Sequence, residues 1–136
     1  MSQASDFLES SLRTHIFRTG SYTKPTVLAV ALFTAAPGEA GGGTEVTGGS
    51  YARAQLNPLD ANWTAASATD GLTDNAAQLN FPSPSANWGL VTHQAIFDAT
   101  TVGNMLIYGA LAASKNVNSG DPAPFFAAGA LDYIIA

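Results

Sequence analysis

The stretch Thr26-Val-Leu-Ala-Val-Ala-Leu-Phe-Thr34 decides the fold class of this chain. It follows Pro25 and is only nine residues long, and its apolar residues occupy both alternating sets of positions. A short run of this kind is typical of a central β-strand covered on both faces, because a buried helix usually extends further. We therefore expect this strand to lie in the middle of the core.

Later segments alternate apolar and polar side chains and predict further strands. Two of them flank a turn near Gly103 and predict a β-hairpin, whereas residues 57–74 have no clear period and are expected to be irregular, with Trp63 as an anchor. Short strands separated by turn residues are typical of sandwiches. The sequence thus predicts a mainly β fold, an antiparallel β-sandwich of about seven strands. The alternating segments are residues 50–56, 75–81, 90–98, 104–113 and 131–135.

The N-terminus predicts a short amphipathic α-helix of about 14 residues. Ser5 is a candidate N-cap, Gly20 a candidate stop, and acidic and basic residues lie at the ends where they complement the helix dipole. The helix would form an N-terminal head, residues 1–20, on a sandwich body, residues 21–136, with one globular unit overall.

The apolar stripe of this helix is narrow, and a helix this short needs a surface on which to dock. Docking on its own domain and docking on a neighbouring subunit both remain open, and Leu12→Asp would separate them. Residues 35–49 form a long glycine-rich loop, which is the kind of loop that often makes contacts. The candidate interface residues are accordingly Leu8, Leu12, Ile16, Phe17, Gly41, Gly42 and Gly43.

Composition excludes several classes of function. Charged residues make up 11% of the chain, with 10 acidic against 5 basic residues, so no basic surface for nucleic acid or anionic lipid is expected. Cysteine is absent, which excludes disulfides and thiolate metal sites. The acidic start is unlike a signal peptide, and no apolar run reaches the length of a membrane-spanning helix. We expect a protein that does not bind membranes and is made in a cytoplasm.

Residues for catalysis or for binding a cofactor are scarce. His93 has no partner at a spacing typical of an active site, and a strand histidine among apolar residues is usually structural. The run from Gly41 to Gly43 lacks the lysine of a phosphate-binding loop, and Asp70 and Asp74 lack the ligand pattern of an EF-hand. We expect no enzyme activity, no cofactor and no metal. The aromatic residues that could stack on sugars, and that core packing explains more simply, are Trp63, Trp88, Phe125 and Phe126.

Several strings of the sequence, in the same order, resemble a family of small bacteriophage virion structural proteins. The similarity extends over nearly the whole chain and includes the amphipathic head from Phe7 to Phe17. The strings are Leu28-Ala-Val-Ala-Leu-Phe-Thr34-Ala-Ala-Pro-Gly-Glu-Ala-Gly-Gly-Gly-Thr-Glu-Val-Thr-Gly-Gly-Ser-Tyr-Ala-Arg53, Asn87-Trp-Gly-Leu-Val-Thr-His93-Gln-Ala-Ile-Phe-Asp98, Leu106-Ile-Tyr-Gly-Ala-Leu111 and Phe126-Ala-Ala-Gly-Ala-Leu131.

The resemblance implies a component of the virion that is assembled in the host bacterial cytoplasm and carries no catalytic residues. Members are usually described as phage tail or tail-fibre proteins, and capsid decoration or cement proteins are of similar size and fold. We expect a capsid decoration protein that binds the major capsid protein or other virion proteins and stabilises the head shell, with a trimer as the favoured homo-oligomer. The alternative is a minor tail or tail-fibre component, which could bind host-surface glycans.

Overall fold

The computed structural model describes residues 2–135 and shows a mainly β protein with one α-helix in that range. The fold class predicted from the sequence is confirmed, although the strands are more numerous and many are only two residues long. In chain order the elements are β1 (Ser2–Ala4), α1 (Asp6–Phe17), β2 (Ala29–Ala35), β3 (Thr44–Glu45), β4 (Ala54–Gln55), β5 (Thr73–Asp74), β6 (Leu79–Asn80), β7 (Gly89–Phe97), β8 (Met105–Val117), β9 (Phe125–Phe126) and β10 (Asp132–Tyr133).

One antiparallel sheet forms the centre of the molecule. Its strand order is β1-β8-β7-β2-β3, and β4 pairs with β2 on the same side as β3. Two small sheets, β5 with β10 and β6 with β9, provide the residues that pack over one face of this main sheet. Leu79, Leu131 and Tyr133 belong to the same buried cluster as Val30 and Leu32 of β2, which is the packing expected of a sandwich.

Strand β2 is the central strand that the sequence predicts. Its first five residues are buried, and successive side chains enter two different clusters: Val30 and Leu32 on one face, Ala31 and Phe33 on the other. Each larger side chain buried in this way stabilises the fold by about 1.5–3 kcal/mol. The run of apolar residues at both parities therefore reflects burial on both faces.

The predicted hairpin is β7 with β8, but β8 is longer than expected. It continues to Val117, which pairs with Gly89, four residues beyond the predicted segment 104–113. The register shifts between the pairs Val91–Lys115 and His93–Ala110, so that residues 111–114 of β8 face only Thr92 of β7. This bulge interrupts the regular pairing at residues 111–114, which alternation alone does not reveal.

The helix begins where the sequence predicts and ends earlier. The Ser5 hydroxyl accepts the backbone N–H of Leu8 at 3.2 Å, as an N-cap does, and donates to the carbonyl of Met105 in β8. The helix ends at Phe17 rather than near Gly20, because the chain turns back over its own last turn: Tyr22 N–H donates to His15 Nδ1 at 3.2 Å. The chain passes close to the helix at Gly20, where a Cβ would lie 2.5 Å from Thr14 Cγ2 and the Thr14 side chain would have to shift.

Asn75 holds the C-terminal segment against the sandwich. Its side chain is fully buried, donates to the carbonyls of Ala77 and Ala127 at 2.8 and 2.9 Å, and accepts the N–H of Leu131 at 2.9 Å. The sequence indicated only a strand beginning at this residue. Each of the two short sheets pairs only two residues on each strand, so it contains few backbone hydrogen bonds. The Asn75 side-chain amide adds hydrogen bonds that help to hold this layer together.

We expect Asn75→Ala to lower the free energy of unfolding by about 2–3 kcal/mol, because two carbonyls and one N–H lose their partner inside the protein. Urea unfolding followed by tryptophan fluorescence measures the change. The matched control is Asn116→Ala at an exposed position of β8, which should stay within about 0.5 kcal/mol of the original protein. Equal stability of the two variants would show that Asn75 is not such an anchor.

Candidate functional site

The structure divides the predicted stripe of α1 into a buried part and an exposed part. Leu8 is buried and Leu12 packs against the same cluster, together with residues of the sandwich. Ile16 is 67% exposed and Phe17 is 80% exposed, at the end of the helix. The interface assignment of these four residues stays a prediction, and only the last two are exposed enough to offer a large apolar surface to another molecule.

The glycine-rich loop is tied to the helix start. Gly38 and Gly41 exchange two backbone hydrogen bonds across a tight turn, and the Asp6 N–H donates to the carbonyl of Glu39 at 3.0 Å. Gly43 has a φ of +74°, and a Cβ there would lie 2.7 Å from the carbonyl oxygen of Ala35. Gly41 and Gly42 also have positive φ but face open space, so the loop presents backbone rather than side chains to its surroundings.

Beside this loop, Arg53 joins three segments of the chain. Its guanidinium makes two hydrogen bonds of 2.8 Å to the Glu45 carboxylate and donates to the carbonyls of Ala99 and Val102 in the hairpin turn. It also lies 3.7 Å from the centre of the Phe97 ring. A cleft of about 590 Å³ borders this group, the loop and the start of α1. Because Arg53 already has these partners, its role is structural.

Tyr51 completes this group. Its hydroxyl accepts the Leu32 N–H at 2.9 Å and donates to Glu45 at 3.0 Å. Burial raises the pKa of the Tyr51 phenol well above its usual value, although the hydrogen bond from Leu32 acts in the opposite direction. The hydroxyl therefore remains a neutral donor to Glu45 at physiological pH.

A second cleft, the β8 cleft, lies along the second half of β8. Its volume is about 500 Å³, and small residues from Gly109 to Ala113 form one wall, while Phe125, Phe126 and Leu131 line another part. Phe125 is 58% exposed. Within residues 2–135, β1 pairs with β8 only as far as Gly109, and no strand pairs with that edge of β8 beyond it. The cleft is thus mainly apolar, open and bordered by free strand backbone.

One acidic and one basic side chain line the β8 cleft, Asp132 and Lys115. Asp132 lines the cleft and is exposed, and it lies directly opposite Asp74 in the β5–β10 pair. Opposite residues of an antiparallel pair point to the same side, where like charges repel. In the described part of the chain the ion pairs are Arg13–Glu9 and Arg53–Glu45, so no cation there pairs with either aspartate.

Other polar residues considered from the sequence have local partners. His93 Nδ1 lies 2.8 Å from the Thr92 hydroxyl. Two hydrogen bonds to the Asp70 carboxylate, from the Ser67 side chain and from the Leu72 N–H, lower the pKa of Asp70. Between residues 2 and 135, no group of three or more His, Cys, Asp or Glu side chains could hold a metal ion. Nor is any helix in this range long and apolar enough to span a membrane.

The predicted aromatic residues have different environments. Trp88 is buried and its indole N–H donates to the carbonyl of Gly49 at 2.9 Å, while Trp63 donates to Leu56 and packs against Tyr133. Phe126 contacts Phe81 edge-on, which leaves Phe125 as the exposed member of the pair. Three of these four aromatic side chains therefore serve the core.

A comparison with protein families identifies the chain. The family model described as Podophage GP4 fiber I protein gp80 matches residues 3–133. The chain belongs to this family. The match includes α1, the glycine-rich loop and the β8 cleft, and it confirms the resemblance to phage virion structural proteins inferred from the sequence strings. No curated protein matches the chain.

Membership of the gp80 family makes the chain a bacteriophage virion structural protein, as expected from the sequence. Arg53, Asn75 and the β8 cleft were not among the sites predicted from the sequence. A signal for the cleft was present, because Gly109-Ala-Leu-Ala-Ala-Ser114 is unusually small-sided for a strand. Arg53 and Asn75 have partners far away in the chain, so their neighbours in sequence contain no comparable signal.

Proposed function

We propose that this protein is a small structural subunit of a phage tail fibre, and that it has no catalytic activity. The observation that supports this role is the family match over residues 3–133, whose description names a fibre protein. Capsid decoration, which we favoured from the sequence, is the competing role within the virion. The family description favours the fibre over decoration.

The properties of the molecule suit a fibre subunit that acts through contacts. The exposed end of α1 is apolar, the β8 cleft is mainly apolar, and no residue of α1 lines that cleft. Such a subunit binds other virion proteins through several modest contacts, which multivalent attachment strengthens. The glycine-rich loop, with Gly41 and Gly42 facing open space, offers backbone to the same partners.

Copy number and location in the particle test this role. We expect quantitative mass spectrometry of purified virions to give a low ratio of this protein to the major capsid protein, because fibres are few while the shell is covered by decoration subunits. When heads and tails are separated on a density gradient, the protein should follow the tails. The internal control is the major capsid protein, which should follow the heads.

Hundreds of copies per particle that stay with the heads would contradict the fibre role and support decoration. Particles without the protein distinguish the two roles again. Loss of a fibre subunit should reduce attachment to host cells and leave the heat resistance of the shell unchanged, whereas loss of a decoration protein should lower that resistance.

A further inference from the structure

Val102, in the turn of the β7–β8 hairpin, has a backbone conformation that is unfavourable for valine. Its φ is +55°, and Gly103 follows with a φ of +70°. Two successive positive φ angles in a hairpin turn are usually formed by Asn-Gly or Gly-Gly, because a β-branched side chain is strained in this region. The turn is therefore less stable with valine at this position than it would be with asparagine.

The side chain of Val102 contributes little to the fold that would offset this strain. It is 85% exposed and belongs to neither buried cluster. Within residues 2–135 the other non-glycine residue with a positive φ is Ser50, whose hydroxyl has a partner inside the chain, the Ser85 hydroxyl at 2.7 Å. Strained backbone is typical of residues that contact another molecule, and the exposed Val102 side chain is available for such a contact.

Two charged side chains hold this turn in its conformation. Arg53, whose side chain is only 8% exposed, donates to the carbonyls of Ala99 and Val102 at 3.1 and 2.7 Å. The Asp98 carboxylate accepts the backbone N–H of Asn104 at 2.7 Å and its side-chain N–H at 2.8 Å. Surface turns are usually mobile, so a turn that is fixed in this way loses less conformational freedom when it binds a partner.

Polarity and charge around the turn indicate the kind of partner. Residues 100–103 are exposed and uncharged, which fits an apolar pocket of a protein better than a nucleic acid. The adjoining cleft of about 590 Å³ is lined by the carboxylates of Asp6, Glu39 and Glu45. Among the described residues its lining contains one cation, Arg53, which already pairs with Glu45. Charge complementarity therefore favours a basic partner over a second copy of this chain, whose net charge is −5.

We propose that Val102 is the central contact of a binding surface for a different protein of the virion, one that offers a shallow apolar pocket flanked by lysine or arginine. The Val102 side chain enters the pocket, and Asp6 and Glu39 attract the basic groups beside it. The strained conformation is retained because it holds this side chain where the partner meets it. The inference rests on membership of a virion structural family and holds for a fibre subunit and for a decoration subunit alike.

Val102→Asn separates the effect of this residue on the fold from its effect on binding. We expect it to raise the melting temperature of the full chain by about 2–5 °C, because asparagine adopts a positive φ with less strain. Thermal unfolding followed by circular dichroism measures the change. Val102→Ile keeps both the strain and the apolar side chain, so it should melt like the original protein. A lower melting temperature for Val102→Asn would show that the fold itself needs this side chain, which overturns the proposal.

A competition during virion assembly tests the contact. Infected cells express the original chain and one variant, and quantitative mass spectrometry compares the ratio of the two chains in purified particles with their ratio in the lysate. We expect Val102→Asn to be depleted at least about fivefold in the particles although it is the more stable chain, since a central side chain carries much of the affinity of an interface. Two controls should be incorporated like the original chain: Val102→Ile, and Leu59→Asn at an exposed apolar residue outside this cleft.

The same competition tests the basic part of the partner. Glu39→Gln should be depleted about twofold, whereas Asp60→Asn, at an exposed carboxylate outside this cleft, should not be depleted. Equal incorporation of Val102→Asn and the original chain overturns the proposal. So does self-association of the original chain that Val102→Asn abolishes in sedimentation velocity, because the partner would then be a second copy. In each case the original chain is still found in the particles, so the virion role is tested separately.

Discussion

Replacing Arg53 by Met is expected to lower the free energy of unfolding by about 3 kcal/mol. The Arg53 side chain is only 8% exposed, and the substitution removes both hydrogen bonds to the Glu45 carboxylate. It also leaves the carbonyls of Ala99 and Val102 without their donor. Because Glu45 keeps the Tyr51 hydroxyl and is 26% exposed, the loss should fall at the lower end of the range for broken buried pairs.

Urea unfolding with tryptophan fluorescence measures this loss as a shift of the transition midpoint. Arg18→Met is the matched control, because it removes an exposed arginine that has no ion pair within residues 2–135, and it should change stability by less than about 0.5 kcal/mol. A double-mutant cycle with Glu45→Gln isolates the contribution of the pair. If Arg53→Met and Arg18→Met unfold at the same urea concentration, Arg53 does not connect the hairpin turn to the rest of the sheet.

The main sheet could be predicted because its signals are local. In β2 the burial of both faces produces an apolar run that few other structures produce in nine residues. In β7 and β8 the alternation and the turn between them are adjacent in sequence, so the hairpin could be inferred without knowing the rest of the fold.

The opposite layer could not be predicted in the same detail because it depends on single side chains with distant partners. Asn75 bonds to Ala127 and Leu131, more than 50 residues away, and replaces strand pairing that alternation predicted for residues 75–81. Only Leu79–Asn80 forms a strand there. In the main sheet, one predicted strand is also shorter than expected: of residues 50–56, only Ala54–Gln55 forms β4. The residues next to Asn75 in the sequence do not distinguish it from an exposed loop residue.

The candidate site was likewise predictable where its signals are local and not where it depends on residues distant in the sequence. Periodicity predicted the helix and the face that carries its apolar residues, because a spacing of four places side chains on one side. It did not predict where on that face the contact with the sandwich ends, since this depends on how far the neighbouring strands extend. Leu8 lies within that contact and Ile16 lies beyond it. The β8 cleft arises from a bulge and a C-terminal segment distant in sequence, which no local pattern brings together.

A series of aspartate substitutions along α1 should show this boundary as a gradient of stability. Leu8→Asp is expected to unfold the domain or to cost more than about 4 kcal/mol, because it buries a charge without a partner. Leu8 is 5% exposed, and Asp6 and Glu9, both in the first turn, add like charges beside it. Leu12→Asp should have an intermediate effect, since that side chain is only partly buried.

Ile16→Asp completes the series at the exposed end of the helix. Its cost should be limited to about 0.5 kcal/mol, the effect of a negative charge near the C-terminus of a helix dipole. Thermal unfolding followed by circular dichroism measures all three variants under identical conditions. Because Ile16→Asp is expected to keep the fold, any loss of binding to other virion proteins in that variant would report on the helix end as a contact surface rather than on folding. Three variants with equal melting temperatures would show that α1 does not belong to the core, and an unfolded Ile16→Asp would show that its exposed end does.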